Sequence, residues 1–187
     1  MRTVSLFLLL TAAAGIGSAE AGLRENSWEL GASFTHVDGD RDAGVDNGTG
    51  GTLRCGHSMS EKIEAEGLFT VSSADINDVP GDIQQGLVQV VGNFLNDRGY
   101  KHVPYISAGI GIINVTVDQF VDENDEKHPE AFDSAALLSL AVGSRYFFNE
   151  DWAIRYELRY FHHDAFDEGQ DVFVLDVGAS FVIGGQQ

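Results

Sequence analysis

The sequence predicts an all-β protein, an eight-stranded antiparallel up-and-down transmembrane β-barrel, and three observations carry that expectation. Apolar and polar residues alternate along most of the chain, as in the stretch DWAIRYELRY from Asp151 to Tyr160; a period of two belongs to strands with two unlike faces. The 22 glycines and three prolines among 187 residues suit many strands joined by tight turns within one domain. The connections between the alternating segments are by turns short and long, and the long ones hold most of the charge.

Residues 1–21 have the layout of a secretory signal peptide: Arg2, an apolar run from Val4 to Ala14, then small residues ending in Ala19-Glu20-Ala21. The run is shorter than the roughly 20 residues a membrane helix needs. Cleavage is expected after Ala21, with Ala19 the second choice, leaving residues 22–187 as the barrel. Cys55 is the single cysteine; it forms no intramolecular disulfide and does not follow the leader directly, where a lipid anchor would be attached. Downstream no run of about 18 apolar residues occurs, which excludes helical spans.

Strands are expected at residues 27–37, 48–58, 61–71, 84–95, 103–117, 134–148, 151–163 and 171–183. Short connections lie near Met59-Ser60, between Asn96 and His102, and at Asn149-Glu150. Long ones span residues 38–48, 72–82, 118–133 and 163–171, and an up-and-down meander puts all of these at one end. Those four segments hold 18 acidic residues against Arg41 and Lys127, a contribution of −16 to the net charge of −18. One end is thus an acidic cap. The chain has no basic patch of the kind nucleic acid requires, so nucleic acid is not expected as a partner.

Period alone does not separate a soluble barrel, apolar inside, from a membrane barrel, apolar outside. Residue chemistry decides. One set of faces carries Trp28, Leu30 and Phe34, Val88 and Val90, Leu138, Leu140 and Val142, and Ile154 and Leu158, a continuous band of large apolar side chains. The opposite faces carry small residues and a charged set: Glu29, Arg54, Glu64, Glu66, Arg145, Arg155, Glu157, Arg159 and Asp176. A solvated surface would be rich in lysine. These faces use arginine, whose planar, multi-donor head suits enclosed carboxylate networks. The charged set is therefore expected inside, as a lumen charge network, with the apolar band toward lipid. Aromatics are expected at both borders, Trp28, Phe94, Tyr105, Tyr146, Phe148, Trp152 and Phe181 toward the short turns and Phe34, Phe69, Tyr160 and Phe173 toward the long loops.

With these features the chain resembles the eight-stranded outer-membrane β-barrel family, the OmpA/OmpX-like group, over essentially its whole mature length. Asp176-Val177-Gly178-Ala179-Ser180-Phe181-Val182-Ile183 resembles the family's assembly signal, in which Gly178, Phe181 and Ile183 would be read by the outer-membrane insertion machinery. The segment departs from the commonest form by running on through Gly184 to Gln187. The resemblance implies a bacterial outer-membrane location and contact with outer-membrane lipid and lipopolysaccharide; with no further domain after the barrel, the peptidoglycan-binding module of longer OmpA-type proteins is expected to be absent. It implies little about activity, because the architecture serves structural proteins, adhesins, narrow channels and a few lipid-modifying enzymes.

Lipid A deacylases of this architecture place a His-x-Ser pair near an outer rim, where histidine activates serine. Here His162-His163-Asp164 offers bases and an acid, but Asp164 and Ala165 stand where that serine would be, and His57-Ser58 falls toward the other end. Asp38, Asp40 and Asp42 alternate as in calcium loops, but Ala43 and Thr49 occupy the places of the helix-loop-helix pattern's glycine and closing glutamate. His36, His102 and His128 form no metal constellation. No cofactor, metal site or catalytic residue is expected. The sequence reads as a small integral outer-membrane protein with a structural or surface-interaction role, a side-chain-filled lumen and acidic loops that could hold divalent cations or surface ligands. A lipid A-modifying enzyme and a narrow ion channel are the alternatives.

Overall fold

The computed structural model describes residues 23–39, 46–76, 79–94, 101–121, 127–129, 131–165 and 169–186. The signal peptide, its cleavage sites, Asp40, Asp42 and all five acids from Asp122 to Glu130 lie outside the described residues.

Eight long strands close into a barrel: β1 (Glu25–Asp38), β2 (Gly48–Ser58), β3 (Ile63–Ile76), β4 (Val79–Asn93), β5 (His102–Val117), β8 (Ala131–Phe147), β9 (Trp152–His163) and β10 (Gln170–Gln186). A two-strand hairpin, β6 (Phe120–Val121) and β7 (Lys127–His128), stands on the connection from β5 to β8. Every barrel strand pairs antiparallel with its neighbours in sequence, and β1 pairs with β10 to complete the ring. Closure leaves no unpaired backbone edge, the condition for strands to cross hydrocarbon. Among the described residues no helix is long and apolar enough to cross a membrane.

The short turns are held locally. Met59 and Ser60 donate backbone N–H groups to Ile63 O, and Asn149 Oδ1 accepts from the backbone N–H groups of Asp151 and Trp152. The segment expected as a long loop over residues 72–82 differs. β3 runs to Ile76 and β4 starts at Val79, so the connection is residues 77–78 alone. Alternation persists through the apparent turn composition: Ser72, Ala74, Gly81 and Ile83 are buried, while Ser73, Asp75 and Asp82 face water. Ser73 Oγ donates to Asp82 Oδ1 across the pair at 2.9 Å.

The outer wall carries the apolar band. Phe34, Leu53, Val88, Ile110, Leu138, Val142 and Ile154 are all exposed. The band ends where outward positions turn polar: Val71 is followed by Ser73, Ile112 by Asn114, Tyr160 by His162, and Phe173 gives way to Asp171. The interior has three layers. Toward the long loops Val37, Leu68, Ile83, Ile113, Phe161 and Val174 belong to one apolar cluster, and toward the short turns Leu23, Val103, Phe147, Ala153 and Val182 form another. Between them lies the charge.

A candidate functional site in the barrel lumen

Residues on one face of a strand share parity, so Arg155, Glu157 and Arg159 of β9 project inward together with Glu64 and Glu66 of β3, Glu29 of β1, Arg54 of β2, Arg145 of β8 and Asp176 of β10. All nine are buried, none more than 5% exposed. Eight strands make a lumen about wide enough for side chains to fill, and these arginines reach across it.

Arg155 is the hub. Its Nη1 and Nη2 take the two oxygens of Glu66 at 2.7 and 2.9 Å in a bidentate pair, Nη1 reaches Glu29 Oε1 at 3.2 Å, Nη2 reaches Glu157 Oε2 at 3.1 Å, and Nε donates to the Tyr105 hydroxyl at 2.7 Å. Arg145 serves a second group, with Nε to Glu29, Nη1 to Asn93 Oδ1 and Nη2 to Glu64 Oε2, the last two at 2.6 Å. Arg159 joins Glu157 and Asp176. Arg54 stands 3.5 to 3.6 Å from Glu66, Glu157 and Asp176, a charge contact without a hydrogen bond. Neutral donors complete the carboxylates: Gln89 Nε2 gives to Glu66 at 2.6 Å, and Thr35 Oγ1 gives to Asp176 Oδ1 at 2.6 Å.

Tyr105 corrects the sequence reading. It was expected on the wall as a border aromatic, and it is fully buried in the lumen. It shares parity with Ser107, Gly109 and Gly111, small residues of the inner face, and this register outweighs its aromatic character. Its hydroxyl donates to Glu157 Oε2 at 2.7 Å, and its ring lies between two guanidinium groups, with Arg145 Cζ 4.7 Å and Arg155 Cζ 4.6 Å from the ring centroid. Gly143 makes the room, since a Cβ there would overlap the phenol. Tyr105→Phe strips one hydrogen-bond partner each from Arg155 and Glu157 in a buried site. It should cost about 1–3 kcal/mol, read as a lower heat transition of the folded band in detergent gels. Tyr146→Phe on the outer wall should leave that transition in place.

At the outer rim, just beyond the apolar band, Tyr160 OH and His162 Nδ1 both meet Asp171 Oδ1, at 2.7 and 2.8 Å. The Asp171 contact raises the pKa of His162, and hydrogen bonds from Tyr160 and His162 lower that of Asp171. His163 turns inward, and burial lowers its pKa. No serine hydroxyl is hydrogen-bonded to either histidine among the described residues. One serine–histidine contact that the sequence did not suggest lies near the opposite border: Ser144 Oγ is 2.7 Å from His102 Nε2, which also meets Tyr156 OH at 2.5 Å. Ser144 is 3% exposed. These three groups satisfy one another on the wall, where the half-buried His102 and Tyr156 cover Ser144.

The three assembly-signal positions lie on β10. Phe181 packs on Trp152 with ring centroids 4.8 Å apart, and Ile183 faces outward. Gly178 sits against β1, where a Cβ would overlap Ala32 O and the Ser33 backbone, so the closing seam itself requires glycine there. Among the described residues no cluster of three or more histidine, cysteine or acidic side chains is arranged to hold a metal ion.

Residues 5–181 match the protein family described as outer membrane protein beta-barrel domain. Solved structures of the same fold include Neisserial surface protein A (13% identity, TM-score 0.66, covering 85% of this chain and 99% of that one). OprG from Pseudomonas aeruginosa aligns at 14% identity and TM-score 0.60 over 87% of this chain and 98% of its own. Ail, the attachment invasion locus protein of Yersinia pestis, aligns at 15% identity and TM-score 0.56 over 85% and 99%; it has also been crystallised in complex with the heparin analogue sucrose octasulfate. No curated protein matches the sequence significantly.

Proposed function

The chain belongs to the outer membrane protein β-barrel domain family, whose place is the bacterial outer membrane, and from that premise we propose that it is a closed, non-catalytic envelope protein whose wall anchors it in lipid and whose outer loops meet ligands. The observation that carries this reading is the filled lumen: a cross-linked layer of arginines and carboxylates between two apolar plugs. The network's role in this reading is to seal and brace the cylinder. Residues 1–21 act as a cleaved leader, and Gly178, Phe181 and Ile183 present the last strand to the insertion machinery.

The loops select the partner's charge. Ail accepts a polysulfated ligand, whereas the four outer-end segments here, strand ends included, hold 18 acids against two bases and repel polyanions. Divalent cations and basic surface ligands suit them, with lipopolysaccharide surrounding the wall below. The enzyme alternative draws little support, because Ser144 is buried and shares its histidine nitrogen with Tyr156.

Planar-bilayer recording of the purified protein tests the sealed lumen. The expected result is a folded, heat-modifiable protein that leaves the membrane non-conducting, and stable single-channel steps would favour the channel reading instead. Mass analysis of lipid A from cells with and without the protein should show no difference.

A further inference from the structure

The lumen layer does not balance. Glu29, Glu64, Glu66, Glu157 and Asp176 give five carboxylates, and Arg54, Arg145, Arg155 and Arg159 give four guanidinium groups. Both ends of the layer are closed by apolar clusters, so water cannot screen the excess, and an uncompensated charge in such a place neutralises by taking up a proton.

The contacts single out one acid. Glu29 meets Arg145 and Arg155; Glu66 meets Arg54 and Arg155; Glu157 meets Arg54, Arg155 and Arg159; Asp176 meets Arg54 and Arg159. Among the described residues Glu64 meets Arg145 alone, through Oε2. Its other oxygen, Oε1, is buried, has no hydrogen-bond partner, and lies over Gly56, where any Cβ would collide with it. Directly opposite Glu64 in the β2–β3 register is Ser58, 1% exposed, whose hydroxyl is also unpartnered.

The other groups around Glu64 do not relieve it. Glu29 on β1 and Glu66 on its own strand are like charges. Asn93 of β4 spends its carbonyl on Arg145 and keeps a buried, unpartnered Nδ2, Tyr105 of β5 and Arg155 of β9 are engaged with Glu157 and Glu66, and β2 offers Ser58 and Gly56, so none brings a spare cation. His163, the remaining inward titratable group, sits in the outer apolar layer and accepts a backbone N–H from Ala165. The Ser58 hydroxyl can donate to an ionised Oε1, but that bond leaves the fifth negative charge in place; a protonated Oε1 donates to the same hydroxyl and brings the layer to four charges of each sign.

We infer that Glu64 is a proton-binding site, a neutral carboxylic acid in the folded barrel that donates through Oε1 to Ser58 Oγ while Oε2 stays on Arg145. The inference depends on the closed lumen and not on any role for the loops.

Infrared spectroscopy of the protein in ester-free alkyl maltoside micelles at neutral pH tests it, because neither the detergent nor ionised surface acids contribute to the carboxylic-acid carbonyl region. The wild type should show one such band. E64Q should abolish it and keep the wild-type heat transition, since the amide is isosteric with the protonated acid; Glu61→Gln, in an exposed turn, should keep the band. Ser58→Ala should shift the band's frequency, which decides the matter if E64Q does not fold. No band in the folded wild type, a band that survives in E64Q, or one unmoved by Ser58→Ala would overturn the assignment. Loss of heat-modifiable mobility in the wild type would overturn the closed lumen beneath it.

Discussion

Arg155→Ala is expected to lower the heat transition of the folded band in detergent gels by roughly 10 °C. The guanidinium has all its donors engaged, and its removal strands Glu66 without its bidentate partner and takes one cation each from Glu29 and Glu157. Breaking a buried ion pair by removing one partner costs about 3–5 kcal/mol, because the remaining charge stays buried. For a chain of this size each kcal/mol moves a thermal midpoint by about 2–4 °C. The conservative Arg155→Lys restores the charge but not the planar fork that grips Glu66, so it should recover part of the loss. Arg24→Ala sets the scale for a partly exposed pair. Arg24 Nη2 lies 2.8 Å from Asp151, whose side chain is 47% exposed, and such a pair contributes at most about 1 kcal/mol. If Arg155→Ala and Arg24→Ala gave the same small shift, the network would not be bracing the barrel.

Val142→Arg tests the opposite face. Val142 sits among the outward positions of β8, midway between Leu138 and Tyr146, and is 56% exposed; in the membrane that exposure is to acyl chains. A cation at such depth should cost about 2–4 kcal/mol, falling to about 0–1 near the interface. Equilibrium unfolding in lipid vesicles should therefore show a large loss for Val142→Arg and little for Gln84→Arg, which lies outward on β4 beyond the band. Equal effects at the two depths would mean that the band does not mark the hydrocarbon.

The architecture is legible because alternation survives in nearly every strand; parity gathers the nine charged side chains on one face, and their arginine-rich chemistry marks that face as the inner one. Three features were not legible. Tyr105 was misread because residue type overruled register: its neighbours Ser107 and Gly109 already fixed the face. The apolar plugs were missed because their inward members stand beside outward ones, as in Leu137-Leu138 and Ile112-Ile113, and a doublet of large residues erases the period. The β3–β4 hairpin was hidden by Asp75, Asn77, Asp78, Pro80 and Gly81, a composition that signals a loop. Pro80 is tolerated in a strand end, where its carbonyl accepts from the Asp118 backbone N–H. Geometry alone shows which acid is left with a single arginine, since that depends on reach across the cylinder and not on spacing along the chain.

The seam between β1 and β10 governs how the barrel comes into being. It joins the first and last strands of the ring, so the cylinder cannot zip shut until its final strand has been delivered. Trp28, Phe34, Val88, Leu140 and their like stay exposed even in the closed ring, so until the chain reaches lipid nothing apolar covers them. Transit to the membrane therefore demands an escort that shields sticky segments in water, and once the seam snaps shut the way back is barred by every hydrogen bond in the hoop.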